Sequence, residues 1–174
     1  LGQLAELLGF HQEACRIEPL ALRPFAQPYE ELRDACDVWQ RRCGSRPRVF
    51  LANMGPIAHH TARANYAKSF FEAGGFEVIT NQGFEERSAA VEAFANSGAA
   101  IAVICSSDKL YPDLVPGLAG QLKSAGARTV VLAGKPGPHE EAWQAAGVDR
   151  FIFVSCDVLA VLRELLQAEG VLSS

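Results

Sequence analysis

The sequence predicts an α/β domain: a doubly wound, five-stranded parallel sheet preceded by a helical arm. Three observations predict it. From Arg48 onward, short apolar runs alternate with stretches of helical period. Gly74-Gly75, Gly98, Gly126 and Gly147 each stand just before a strand, where left-handed helix caps belong. The longest apolar runs are about six residues, the length of strands buried on both faces.

Residues 1–47 read differently from the rest and form the arm. Leu4, Leu7, Leu8 and Cys15 suggest a first helix, and Pro19, Pro24 and Pro28 then hold residues 18–28 extended. Residues 28–42 resume a helix, with acidic side chains early and arginines late, the order that suits the helix dipole. The arm carries too little apolar surface to fold alone. It is expected to pack on the following domain, residues 48–174, or to join that domain to something upstream.

Within that domain the strands fall near 48–53, 76–80, 100–105, 128–133 and 150–154. Helical patterns lie near 58–73, 85–97, 113–125, 139–146 and 157–168. At this size the flavodoxin-like strand order 2-1-3-4-5 is the common solution, and it sets the loops after the first and third strands side by side. Those loops are residues 53–58 and 106–112. Ligands usually bind at such a switch point, so residues 53–62 hold the most informative position in the chain.

Composition excludes several classes of function. With 174 residues, 21% of them charged, a net charge of -4 and scattered Lys and Arg, nothing resembles a nucleic-acid footprint. No apolar run approaches the roughly 18 residues of a membrane span. The first six residues, LGQLAE, lack the basic start of a signal peptide. Cys15, Cys36, Cys43, Cys105 and Cys156 are an odd set without CxxC, which reads as free thiols in a reducing cytoplasm.

Several side chains could carry chemistry, and each also has a plainer role. His59 and His60 are adjacent and point about 100° apart on a helix, which suits a surface or helix-start role better than a metal pair. His11 and Cys15 share a helical face, but nothing nearby completes a tetrahedral set. Cys36 and Cys43 read as packing residues. The loop at Gly55 has one glycine, and Pro56 removes a backbone donor, so a phosphate cradle is disfavoured. Asp108 lies near the acceptor position of a phospho-acceptor domain, but the first strand ends without the carboxylates that would hold Mg²⁺. Cys105-Ser106-Ser107-Asp108 lies at a strand end near the histidines, and no nucleophile elbow surrounds it.

Residues 47–64 (PRVFLANMGPIAHHTARA), 70–78 (FFEAGGFEV) and 114–116 (LVP) resemble the carboxy-terminal cobalamin-binding-type domain of methylmalonyl-CoA mutases. The wording is most similar to the small (beta) subunit of the bacterial heterodimeric enzyme. The similarity covers about residues 48–170, and residues 28–35 (PYEELRDA) resemble the linker to the substrate barrel. The barrel is absent, so the chain is expected to be a fragment or a separately produced domain.

Cobalamin-binding members carry D-x-H-x-x-G after the first strand, S-x-L at the end of the third and G-G at the end of the fourth. Here the histidine position falls on His59, but Ile57 stands at the Asp position and Ala62 at the Gly position. The other motifs read Cys105-Ser106-Ser107 and Ala133-Gly134. Only His59 and Gly134 match. A ligating imidazole needs an acceptor on its second nitrogen, and Ile57 cannot supply one. Lys109, Leu110 and Tyr111 add bulk to the adjoining loop, so the pocket for the cofactor's nucleotide tail is expected to be filled by protein.

The resemblance therefore implies a degenerate, non-catalytic domain that binds no cofactor of its own, with His59 and Gly134 as vestigial positions. Its partner would be the large (alpha) subunit, which in the family carries adenosylcobalamin and converts methylmalonyl-CoA to succinyl-CoA. The alternative is a functional cobalamin module with His59 as lower cobalt ligand. A third reading is a small-molecule sensor using the same crevice.

Overall fold

A computed structural model of the chain describes residues 26–173. The segments expected at residues 1–25, including the first helix and the His11/Cys15 pair, lie outside the described residues. The sheet has five parallel strands in the order β2-β1-β3-β4-β5, the doubly wound, flavodoxin-like arrangement predicted from the alternating pattern. They are β1 (Arg48–Asn53), β2 (Glu77–Ile79), β3 (Ile101–Cys105), β4 (Thr129–Ala133) and β5 (Arg150–Ile152).

The helices are α1 (Gln27–Cys43), α2 (Ile57–Ala73), α3 (Arg87–Ser97), α4 (Tyr111–Ser124), α5 (Glu140–Ala145) and α6 (Val158–Ala168). A short 3-10 turn, Gly137–His139, leads into α5. Period-2 alternation sorts the side chains onto two faces. Val49 and Leu51 of β1 pack with α1, α2 and α6, where Leu32, Phe71 and Leu162 are buried. Phe50 and Ala52 face α3, α4 and α5, among Phe94, Tyr111, Leu118 and Trp143. Burying each large apolar side chain of this kind contributes about 1.5–3 kcal/mol, so both faces hold the sheet in place.

Several boundaries differ from the expected ones for local reasons. α1 takes in Gln27, one residue before the expected start at Pro28, because proline suits the first helical turn, where its missing N–H is not needed. In the same way Pro112 lies in the first turn of α4, which starts at Tyr111, two residues early. β5 ends at Ile152, and Val154 is 87% exposed, as an edge strand with one neighbour permits. Among the caps, Gly98 closes α3 at φ 67°, but the left-handed residue after α2 is Gly75 and not Gly74.

α1 is tied to the sheet domain. Leu32 and Cys36 are buried in the core, Cys36 Sγ donates to the Gly74 carbonyl at 3.4 Å, and Arg46 donates to the Gly75 carbonyl at 3.0 Å. Burial pushes the Cys36 thiol up to about 11. Cys43, expected to pack, is exposed, because it falls on the last turn of α1 beyond the contact. Cys36, Cys43, Cys105 and Cys156 are all unpaired. No described helix is long and apolar enough to cross a membrane.

Candidate functional site: the β1 and β3 strand tips

The 2-1-3-4-5 order makes β1 and β3 neighbours, with Asn53 paired to Cys105 at their carboxyl ends. The chain leaves both strands there, and hydrogen bonds join the two departing loops. Met54 N donates to the Cys105 carbonyl at 2.9 Å, and Ser106 Oγ donates to the Met54 carbonyl at 2.9 Å. One layer further out, His59 Nδ1 and Ser107 Oγ lie 2.9 Å apart. Arg63 on the next turn of α2 donates from one nitrogen to both Asp108 oxygens, at 2.9 and 3.2 Å. Leu110 folds back over Gly55, where a Cβ would stand 3.1 Å from Leu110 Cδ1.

Both matched motif positions meet the β3–α4 loop. His59 is half-buried and reaches it through Ser107. Gly134 reaches it through Tyr111, whose ring would lie 3.0 Å from a Cβ on Gly134. Tyr111 is buried, accepts from Ser106 N at 3.0 Å and donates to the Ala133 carbonyl at 2.7 Å. Burial drives its hydroxyl far above the ordinary tyrosine value, with the Cys105 thiol adding to the effect, so it stays a neutral donor.

The motif positions that differ are packed. Cys105 and Ala133 are completely buried in the hydrophobic cluster beneath α2 and α6. Desolvation holds the Cys105 thiol far above its ordinary value, which leaves it protonated and a poor nucleophile. Ile57 and Ala62 are exposed on the first turns of α2. Of the three residues expected to add bulk, Leu110 and Tyr111 turn inward, while Lys109 is exposed. Tyr111 packs with the cluster under α3, α4 and α5, the face opposite Cys105 and Ala133.

Two expectations need correction. His60 is not a surface residue: it is 4% exposed, because the helix turns it inward toward the end of β2. The second nitrogen of His59 has a partner although Ile57 supplies none, because Ser107 reaches across from the neighbouring loop. Asp108, near the acceptor position of a phospho-acceptor domain, is half of an ion pair with Arg63. Among the described residues no three His, Cys, Asp or Glu side chains gather as a metal site.

No family model matches the chain. Among curated proteins, the methylmalonyl-CoA mutase small subunit of Streptomyces virginiae is 43% identical over 145 residues, 83% of this chain and 22% of that protein. A probable methylmalonyl-CoA mutase small subunit of Mycobacterium tuberculosis is 34% identical over 151 residues, 86% of this chain and 24% of that protein. The small subunit of Porphyromonas gingivalis is 32% identical over 165 residues, 94% and 26% respectively. The chain is homologous to methylmalonyl-CoA mutase small subunits. It spans about a quarter of the length of these relatives.

In this homologue of the small subunits, motif reading missed Ser107 as the partner of His59 and Tyr111 as the link between β3 and β4. It also missed the polar wall made by Asn53, His60 and Asn81. The order of the strands was signal enough to place residues 53 and 107 near one another. No local pattern gives the inward turn of His60.

Proposed function

We propose that this chain is a degenerate cobalamin-binding-type domain of a methylmalonyl-CoA mutase small subunit, with an assembly role and no catalytic residues. Its partner is the large subunit, which carries adenosylcobalamin and isomerises methylmalonyl-CoA to succinyl-CoA. The observation that carries the reading is the complete burial of Cys105 and Ala133, at the two motif positions where binding members keep Ser and Gly. A nucleotide tail needs space beside those strand tips, and on this face of the sheet Cys105 and Ala133 pack in one buried cluster with side chains of α2 and α6, while a cleft of about 410 Å³ lined by Met54, Gly55, Pro56, Leu110 and Leu114 lies toward α3 and α4. The ties between His59 and Ser107 and between Arg63 and Asp108 further close the rim above. In this reading the residues present do not hold the cofactor.

A second reading has one observation in its favour. Ser107 orients the His59 ring through Nδ1, the kind of support a metal-ligating imidazole needs, and Nε2 is not engaged in that contact. In that reading His59 is the lower cobalt ligand of a working cobalamin module. Titration of the chain with hydroxocobalamin separates the two. The expected result is an unchanged visible spectrum, together with co-purification of the chain with a large mutase subunit. A spectral shift at micromolar cofactor that His59→Ala abolishes would overturn the assembly reading in favour of the module.

A further inference from the structure

The cleft toward α3 and α4, with its volume of about 410 Å³, falls at the small end of ligand pockets, which are lined mostly by apolar groups with a few placed polar ones. Its apolar lining is Met54, Pro56, Leu110 and Leu114. The β1 side of it is fixed by backbone hydrogen bonds: Phe84 N donates to the Asn53 carbonyl at 2.8 Å, and Gly55 N donates to the Phe84 carbonyl at 2.9 Å. Gly55 holds φ 81° there, in the left-handed region, with Leu110 packed over it.

Three charged side chains complete the lining: Glu85, Arg87 and Asp113. Glu85 and Asp113 are exposed and Arg87 is half-buried, so all three can be reached from solvent. Among the described residues none of the three joins an ion pair. Arg87 is nonetheless held in one place. Its Nη2 donates to the Asp113 carbonyl at 2.7 Å, and its Nη1 takes the space beside Gly117 on α4, where a Cβ would stand 2.4 Å away. A guanidinium has five N–H donors, so most of them are left for a ligand.

We propose that this cleft binds an α-amino acid with an apolar side chain. The side chain lies against Met54, Pro56, Leu110 and Leu114, the carboxylate pairs with Arg87, and the ammonium pairs with Asp113 and Glu85. An α-amino acid carries both charges on one carbon, which suits a guanidinium anchored to the backbone of Asp113, the residue that brings the opposite charge. Simpler ligands match less of the cleft. A carboxylic acid without the amine meets the repulsion of two carboxylates, and an amine without the carboxylate leaves the fixed guanidinium unmatched. The inference does not depend on the assembly role, because Cys105 and Ala133, which carry that reading, do not line this cleft.

The test is calorimetric titration of the 174-residue chain with L-leucine as probe. The controls are 4-methylpentanoate, which lacks the amine, and 3-methylbutylamine, which lacks the carboxylate. Leucine is expected to bind about tenfold or more tightly than either control, since a hydrogen bond to a charged group is worth that much. Arg87→Gln is expected to weaken leucine binding about tenfold. Because Arg87 also ties α3 to α4, the double variant Glu85→Gln/Asp113→Asn, changed only at exposed positions, gives the same loss without disturbing that tie. No detectable binding at millimolar leucine, binding of either control as tight as leucine, or an unchanged affinity in the double variant would each overturn the proposal.

Discussion

His59 and His60 are neighbours in sequence with opposite surroundings, and the difference makes a prediction about acid. His59 meets Ser107 at the rim, whereas His60 is buried, and burial holds its imidazole below the ordinary value of 6.5 while the nearby Gln82 carbonyl pulls weakly the other way. As pH falls past 6.5, the unfolded chain takes up a proton at this residue that the folded chain resists, so folding stability falls. Denaturant melts of wild type and His60→Gln across pH 5–8 should therefore differ in slope, with the variant losing less stability below about pH 6.5. Parallel curves would show that His60 is not held neutral. Tyr111 offers a second test. Its hydroxyl satisfies both Ser106 N–H and the Ala133 carbonyl inside the core. Tyr111→Phe leaves both buried groups unmatched, and a loss of about 1–3 kcal/mol in urea denaturation is expected.

At the scale of elements, the β strands and most helices could be read ahead of the structure because short apolar runs alternate with longer mixed segments and most of these end on a turn residue. β1 matches its expected bounds because an apolar run between Pro47 and Gly55-Pro56 leaves no other solution. Boundaries slip where a proline has two uses: Pro112 lies in the first turn of a helix although it also reads as a breaker, whereas Pro28 opens α1 as expected. The site was harder, because contacts between distant loops leave no local trace. The Ser107 contact with His59 spans 48 positions, and nothing in CSSD marks it. The docking of α1 is likewise tertiary, since its pattern gives an amphipathic helix but not the surface it covers. Leu32 and Cys36 sit in the core beside Phe71 and Leu165. Leu32→Ala should cost about 2–5 kcal/mol if α1 melts with the sheet. A loss under about 1 kcal/mol, outside that range for a buried leucine, would mean that α1 detaches before the domain unfolds.

For the whole molecule, the question is whether the motif differences at the strand tips act one by one or as a packed unit. Ile57 and Ala62 are exposed and can be changed at little structural cost, while Cys105 is fully buried between sheet and helices. If the letters at these three of the five differing motif positions were decisive, the combined change Ile57→Asp, Ala62→Gly and Cys105→Ser would restore a cobalamin site around His59. The packing argues otherwise. Ala133, Ile152 and Leu162 are also fully buried in the same cluster, and three small substitutions do not move them. A serine hydroxyl at position 105 would enter apolar surroundings, at a cost of about 1–3 kcal/mol if it finds no partner. The expected outcome is a triple variant that melts earlier than the parent and still leaves the hydroxocobalamin spectrum unchanged. Tight binding by that variant, seen as a spectral shift lost on adding His59→Ala, would instead place the closure in the three motif residues alone. The packed face would then be a consequence of their loss rather than its cause.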